Sequence, residues 1–376
     1  MSTGAFSVPS MQAIYDSGEF DIQCLVTNPI RYDKLNRPII TPARRFAEEH
    51  HIAVSEKEDV HSLEFFDFLY LMRPDILFVC DFGQILSKRV LSGSLLGGIN
   101  LHGSLLPKYR GAAPVHRAIM NGEVFSGISI IHMTPQIDAG PVIAQSPPIP
   151  IHPFETAEEL EERLAHFGAE LVLKTLRKMA KNEPVRIIEQ FHELASKAPR
   201  LKKEDGLVNW SNSSRVIFNH YRAMTVWPKT YTDWTRKDGT KLRLILGAIF
   251  PLDDSFRELF YENYSDSIFV KPMLIDAKMD NLAVLRARLK DKNKDEDKGK
   301  DNLRNISEHS HFSHQHLKRP SWWKPGTVIR ADGRDLIIAA GEGVVQILKI
   351  QPAGKKMMDV RDFLLGYPIK SGDQLE

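Results

Sequence analysis

Asn100 and His102 stand two apart at the end of a short apolar run, Gly98-Ile99-Asn100-Leu101-His102, where a buried strand should carry no polar residue. Alternate side chains on a strand leave on opposite faces, so Asn100 and His102 share one face and Leu101 takes the other. An amide donor beside an imidazole suits acyl chemistry, because the two can hold an oxyanion and the imidazole can carry a proton. A second polar patch, Asp138-Ala139-Gly140, follows the apolar run at residues 128–133. A carboxylate near an imidazole orients it and raises its proton affinity. Together the three residues suit attack by a neutral amine on an acyl carbon, with the His–Asp pair moving the amine's proton. Spacing alone leaves a plainer reading open: a strand histidine can be structural, Asn100 can end a strand, and Asp-Ala-Gly is an ordinary turn.

Positioning these groups requires a scaffold, and the first half of the chain alternates strand and helix signals. Strands are expected over residues 21–27, 75–80, 98–102, 128–133 and 142–144, and helices over 9–17, 42–51, 61–72 and 114–121. A long amphipathic helix is expected over 155–180, with Leu160, Leu164, Phe167, Leu171 and Leu176 at helical spacing. This alternation, with nearly continuous apolar runs, argues for a parallel sheet covered on both faces. Ligands bind such sheets at the carboxyl ends of the strands, so Asn100, His102 and Asp138 are expected along one edge. From residue 184 the character changes. A helix over 214–224 and strands over 241–250, 326–330, 335–339 and 344–351 suggest a small all-β unit, plausibly a barrel. We therefore expect a catalytic domain at 1–183, a linker at 184–212 and a second domain at 213–376.

Composition narrows the class further. With 376 residues, 42% hydrophobic and 26% charged, the chain has the makeup of a two-domain globular protein. A net charge of +2 excludes a strongly basic arm but not a local nucleic-acid patch. Two cysteines, Cys24 and Cys80, sit in apolar runs, which argues against a disulfide framework or a zinc site and suits a reducing cytosol. No apolar stretch approaches the ~20 residues that span a bilayer. No export signal is visible, so a cytoplasmic location is expected, with a monomer as the default.

At the site motif the sequence resembles a known family. Asn100-Leu101-His102-Gly103-Ser104-Leu105-Leu106-Pro107, with Arg110-Gly111-Ala112-Ala113-Pro114, is similar to the signature of enzymes that use 10-formyltetrahydrofolate. In that family an Asn, a His and the Asp of an Asp-x-Gly loop form the catalytic set, matching Asn100, His102 and Asp138 here. Residues 104–114, 197–206 leading into Asn209-Trp210, Arg222-Ala223-Met224 before Trp227-Pro228, and 351–357 resemble the members that formylate methionyl-tRNA. The resemblance runs from Ser2 to about Leu365, interrupted at roughly 251–322. It implies a Rossmann-like doubly wound domain followed by a smaller OB-like barrel, with initiator methionyl-tRNA as partner and no metal. By the same resemblance folate lies against Phe82, Gly83, Ile85 and Leu86, against Ser104, Leu105, Leu106 and Pro107, and against the Asp138 loop. The tRNA would be contacted by Arg31, Lys34 and Arg37, and also by Lys355 and Lys356. Alternatives are formyl transfer to a small sugar or nucleotide amine, and a non-catalytic relative.

Three features depart from the family pattern. The apolar residues that should precede Ser2-Thr3-Gly4 are absent, so either the start of the chain lies too late or a central strand is a stub, with neighbouring backbone groups expected to be left unpaired. Asp81-Phe82-Gly83 stands where a small residue and Tyr are more usual. No companion motif supports reading it as a kinase Asp-Phe-Gly. Residues 251–322 have no family counterpart. The run at about 286–318, ending in His309, His311, His314 and His316, has a solvated, loop-like composition rather than a metal site.

Overall fold

The computed structural model describes residues 1–252 and 323–376, so the charged run at 286–318 and its four histidines lie outside the described residues. The chain divides into two compact units, Met1–Asp205 with Arg222–Pro228, and Gly206–Tyr221 with Lys229–Glu376.

The first unit opens with α1 (Val8–Ser17), then β1 (Leu25–Thr27), a hairpin of β2 (Arg31–Tyr32) and β3 (Pro38–Ile39), and α2 (Pro42–Glu49). Next come β4 (Val54–Glu56), α3 (Leu63–Met72), β5 (Leu77–Val79), α4 (Lys88–Leu91), β6 (Gly98–His102) and α5 (Pro114–Met120). The unit continues through β7 (Phe125–Ser126), β8 (Ser129–His132), β9 (Val142–Gln145), β10 (Ile149–Pro150) and α6 (Ala157–Ala180). Strands β1 and β4 pair in parallel, as do β5 and β6. Residues 1–3 join these two pairs. Ser2 N–H donates to Val26 O, Cys80 N–H to Met1 O, and Thr3 N–H to Asp81 O, each at 3.1 Å. Val26 O, Cys80 N–H and Asp81 O, among the groups expected to be left unpaired, are thus paired by residues 1–3.

The far side of the sheet corrects the all-parallel expectation. Strand β8 runs antiparallel to β6, with His102 opposite Ser129 and Ile99 opposite His132, and β9 runs antiparallel to β8. Only nine residues separate β8 from β9, too few for a crossover, so the chain turns back directly.

Alternation along β6 sorts its residues by face. Ile99 and Leu101 enter a core with Ile14, Val115, Ile119, Ile130, Leu160 and Leu164. The opposite face of β5 packs Leu77 and Val79 with Phe65, Leu69, Phe82 and Leu86. Helix α6 is stabilised at its start by a capping box between Thr156 and Glu159. Its Leu160, Leu164 and Leu176 are buried as the spacing predicts, whereas Phe167 is 49% exposed. Gly168 lets α6 approach the back of the site strand, since a Cβ there would lie 2.8 Å from Leu101 Cδ2.

The second unit carries α7 (Ser214–Ala223) up to Tyr221, then β11 (Tyr231–Thr235), β12 (Lys241–Pro251), β13 (Val328–Asp332), β14 (Asp335–Ala339), β15 (Val344–Pro352), β16 (Met358–Asp359) and α8 (Val360–Gly366). Its sheet runs β11-β12-β15-β14-β13, with β16 on β15. Residues 373–376 bridge the two edges: Leu375 N–H donates to Gly326 O at 2.9 Å, and Glu376 N–H donates to Asp233 O at 2.8 Å. The curled sheet is therefore stitched into the small barrel that the turn-punctuated strands predict.

Candidate active site

Strand β6 delivers Asn100 and His102 to a cleft of about 570 Å³, within the usual range for small-molecule sites. Its walls include Phe6, Asp81, Phe82, Leu86, Val115, Ile131, Met133, Ile137, Glu161 and Arg200. The third group, Asp138, reaches the same place by a route that strand ends alone would not predict. Because β8 is antiparallel, its carboxyl end lies beside Gly98, at the far end of β6 from His102. The loop then folds back over the sheet face to bring Asp138 to Asn100 and His102.

Two backbone features permit that return. Asp138 takes a left-handed φ of 49°, a conformation that Asp tolerates better than most residues. Gly140 passes so close to β8 that a Cβ would stand 1.8 Å from His132 O.

Each carboxylate oxygen of Asp138 has its own donor. Oδ1 accepts from Asn100 Nδ2 at 3.2 Å, and Oδ2 accepts from Gly111 N–H at 2.8 Å. Oδ2 also stands 3.6 Å from His102 Nδ1. On the other side of the ring, His102 Nε2 lies 2.9 Å from Tyr109 O. A carbonyl oxygen only accepts, so Nε2 carries a hydrogen. That leaves Nδ1 as the ring nitrogen facing the carboxylate.

The surroundings keep neighbouring groups in defined states. Burial pushes the Tyr109 hydroxyl up to about 12, so it stays neutral while it donates to Glu123 Oε1 at 2.8 Å. Burial holds His132 below its ordinary value. Asp81 is open to water within the cleft but largely surrounded by protein. That surrounding raises its carboxyl above the usual range, nearby Glu161 adds to the rise, and Arg200 opposes it.

The sequence-predicted residues separate in space. Phe82, Gly83, Ile85 and Leu86 line the cleft with Asn100, His102 and Asp138. Their loop is pinned from outside: Asn28 Nδ2 donates to Phe82 O at 3.0 Å, and Gln84 Nε2 donates to Lys57 O at 3.0 Å. Ser104, Leu105, Leu106 and Pro107 are absent from the cleft wall. They are tied to β8, where Leu106 N–H donates to Ser129 Oγ at 3.1 Å and Ser129 Oγ donates to Ser104 O at 2.7 Å. Arg31, Lys34 and Arg37 sit exposed on the β2–β3 hairpin, and Arg37 pairs with Asp33 at 2.7 Å. Lys355 and Lys356 lie exposed in the turn after β15 of the second unit. Sequence reasoning missed Gly111 N–H, Tyr109 O and Gln190. The first two are backbone groups with no side-chain signal, and Gln190 lies in a stretch whose composition reads as linker.

With fold and site in view, comparison places the chain among the formyl transferases. The family described as formyl transferase matches residues 4–176, and the formyl transferase C-terminal domain matches residues 200–252 and 273–368. Methionyl-tRNA formyltransferase from Moorella thermoacetica is 31% identical over 100% of this chain and 97% of its own. Its counterpart from Rhodopirellula baltica is 33% identical over 100% of this chain and 95% of its own. The chain belongs to the methionyl-tRNA formyltransferase family. Among solved structures, HypX from Aquifex aeolicus in complex with tetrahydrofolic acid shares the fold. Its TM-score is 0.52 at 16% identity, over 91% of this chain and 46% of that one.

Proposed function

We propose that this chain moves the formyl group of 10-formyltetrahydrofolate onto the free amino group of initiator methionyl-tRNA, at a centre formed by Asn100, His102 and Asp138. The observation that carries the reading is the convergence of Asn100 Nδ2, His102 Nδ1 and Gly111 N–H on one carboxylate at the mouth of a folate-sized cleft. The cleft suits the donor: apolar walls from Phe82, Leu86 and Met133 accept a flat ring system, and Asn100, His102 and Asp138 supply polar groups in the same lining.

The folate supplies the activated formyl carbon, and this chain's residues do the rest. As the amine attacks the formyl carbon, charge grows on the formyl oxygen, and the Asn100 amide holds it, joined by His102 Nδ1 once it has taken the amine's proton. Asp138 orients and stabilises the imidazolium, which returns that proton to N10 as the bond from N10 to the formyl carbon breaks and tetrahydrofolate leaves. Phe82, Gly83, Ile85 and Leu86 hold the folate. The backbone turn at Ser104, Leu105, Leu106 and Pro107, held to β8 through Ser129, is a further candidate folate contact. Arg31 and Lys34, which make no ion pair among the described residues, are the first candidates for tRNA phosphate, with Lys355 and Lys356 as a second patch. Arg37 is already engaged by Asp33. Such chemistry belongs where translation starts, in the cytoplasm.

The test is formyl transfer from 10-formyltetrahydrofolate to charged initiator tRNA, run with Asn100→Ala and His102→Ala. Loss of one oxyanion donor is expected to lower kcat by about 100-fold or more, with KM little changed. Wild-type rates in both variants, or no transfer from a well-folded wild type, would sink the reading.

A further inference from the structure

Gln190 ties the two loops of the reaction centre together. Its Nε2 donates to Asp138 O at 2.9 Å and to Gly140 O at 2.6 Å. Its Oε1 accepts from Arg110 Nε at 3.0 Å and from Arg110 Nη2 at 2.7 Å. Arg110 directly precedes Gly111, whose N–H holds the Asp138 carboxylate. Gln190 thus contacts the backbone of one loop and the side chain of the other, while Asp138 and Gly111 close the ring between them.

The chain around Gln190 is itself anchored. Val142 and Ile188 exchange backbone bonds at 2.8 and 2.9 Å, and Arg110 N–H donates to Ser196 O at 2.8 Å. Gln190 is only 8% exposed and is not among the residues that line the cleft. The chemistry of the spot selects an amide. One end must accept from a guanidinium and the other must donate to two carbonyl oxygens. A carboxylate would face those carbonyls with negative charge, and a cation would face Arg110. Asp138, at φ 49°, occupies a backbone region that local preference alone does not secure.

We propose that Gln190, oriented by Arg110, is a positioning residue for formyl transfer, fixing the Asp138 turn so that its carboxylate meets Asn100, His102 and Gly111 together. This rests on Asp138 acting at the reaction centre.

The experiment compares kcat, both KM values and thermal melting for Gln190→Glu, Gln190→Leu, Asp138→Ala and the double variant Gln190→Leu/Asp138→Ala. Each Gln190 variant is expected to lose roughly tenfold or more in kcat with KM within about threefold, since displaced catalytic groups cost turnover rather than binding. In the Asp138→Ala background the Gln190 change is expected to cost nothing further, because residues acting through one another are not additive. Wild-type kcat in both Gln190 variants overturns the inference. So does an equal further loss on Asp138→Ala, or loss of the cooperative melt in both Gln190 variants, either of which makes Gln190 merely structural. Wild-type kcat for Asp138→Ala would instead remove the reaction-centre reading and the inference with it, a result the Gln190 variants alone cannot produce.

Discussion

Asp138 gives different oxygens to Asn100 and to Gly111, and the second of these bonds depends on a glycine. Gly111 has φ 127°, and a Cβ there would meet Ala198 O at 2.4 Å. Gly111→Ala must push the loop away from Ala198 and swing its N–H off the carboxylate. The expected cost is about 1–3 kcal/mol in denaturant unfolding, accompanied by a clear fall in kcat. An unchanged kcat would show that the Gly111 bond is dispensable. Asp81 offers a separate pH test. Its folded carboxyl is raised, so the folded chain holds that proton more tightly than the unfolded chain does. The stability it contributes is therefore present below the ordinary value of ~4 and is lost as pH rises through the raised one. Asp81→Asn is expected to melt above wild type at neutral pH, by a modest margin because water reaches the group, and the gap should close on acidification. A gap that widens toward acid would contradict the assignment.

Elements carry the site only if their ends are secure. Helix α6 lies behind β6, and its first turn is held by the Thr156 side chain accepting from Glu159 N–H while the Glu159 carboxylate accepts from Thr156 N–H at 2.8 Å. Thr156→Ala removes half of this box and is expected to cost about 1 kcal/mol in chemical unfolding. Formyl transfer should be unchanged below the melting range, since Thr156 is not part of the cleft wall. Strand direction matters as much as strand existence. The run at 128–133 forms a strand as its composition predicts, but its antiparallel course sends Asp138 to the site by a returning loop.

Taken whole, the chain pairs a catalytic unit with a barrel closed by its last residues. Deleting residues 373–376 removes the bonds to Gly326 and Asp233 and exposes two sheet edges. Calorimetry of the truncated chain is expected to show the second unit melting earlier, with folate binding by the first unit retained. A melt identical to wild type would mean that the closure adds no stability. With a net charge of only +2, attraction for tRNA must come from local patches. Arg31→Ala and Lys34→Ala are each expected to raise KM for tRNA and to reduce the salt slope by about one unit. Arg37→Ala should do less, because Asp33 already holds that guanidinium. Equal slopes in all three variants would argue against the hairpin as a phosphate contact.

Local chemistry made much of this legible. Polar residues two apart in an apolar strand mark a candidate site, and period-two geometry puts Asn100 and His102 on one face. Helical spacing placed α6 to within two residues, and turn-punctuated strands announced the barrel. What the sequence could not convey are relations between distant segments. Strand direction depends on connection geometry, so the antiparallel β8 and the returning Asp138 loop had no local signature. The stretch at 184–205, polar enough to read as a linker, folds into the first unit, where Gln190 grips Asp138 from 52 residues away. Its hydrogen bonds run to backbone carbonyls and to a guanidinium from two other loops, and only the folded chain brings those partners together.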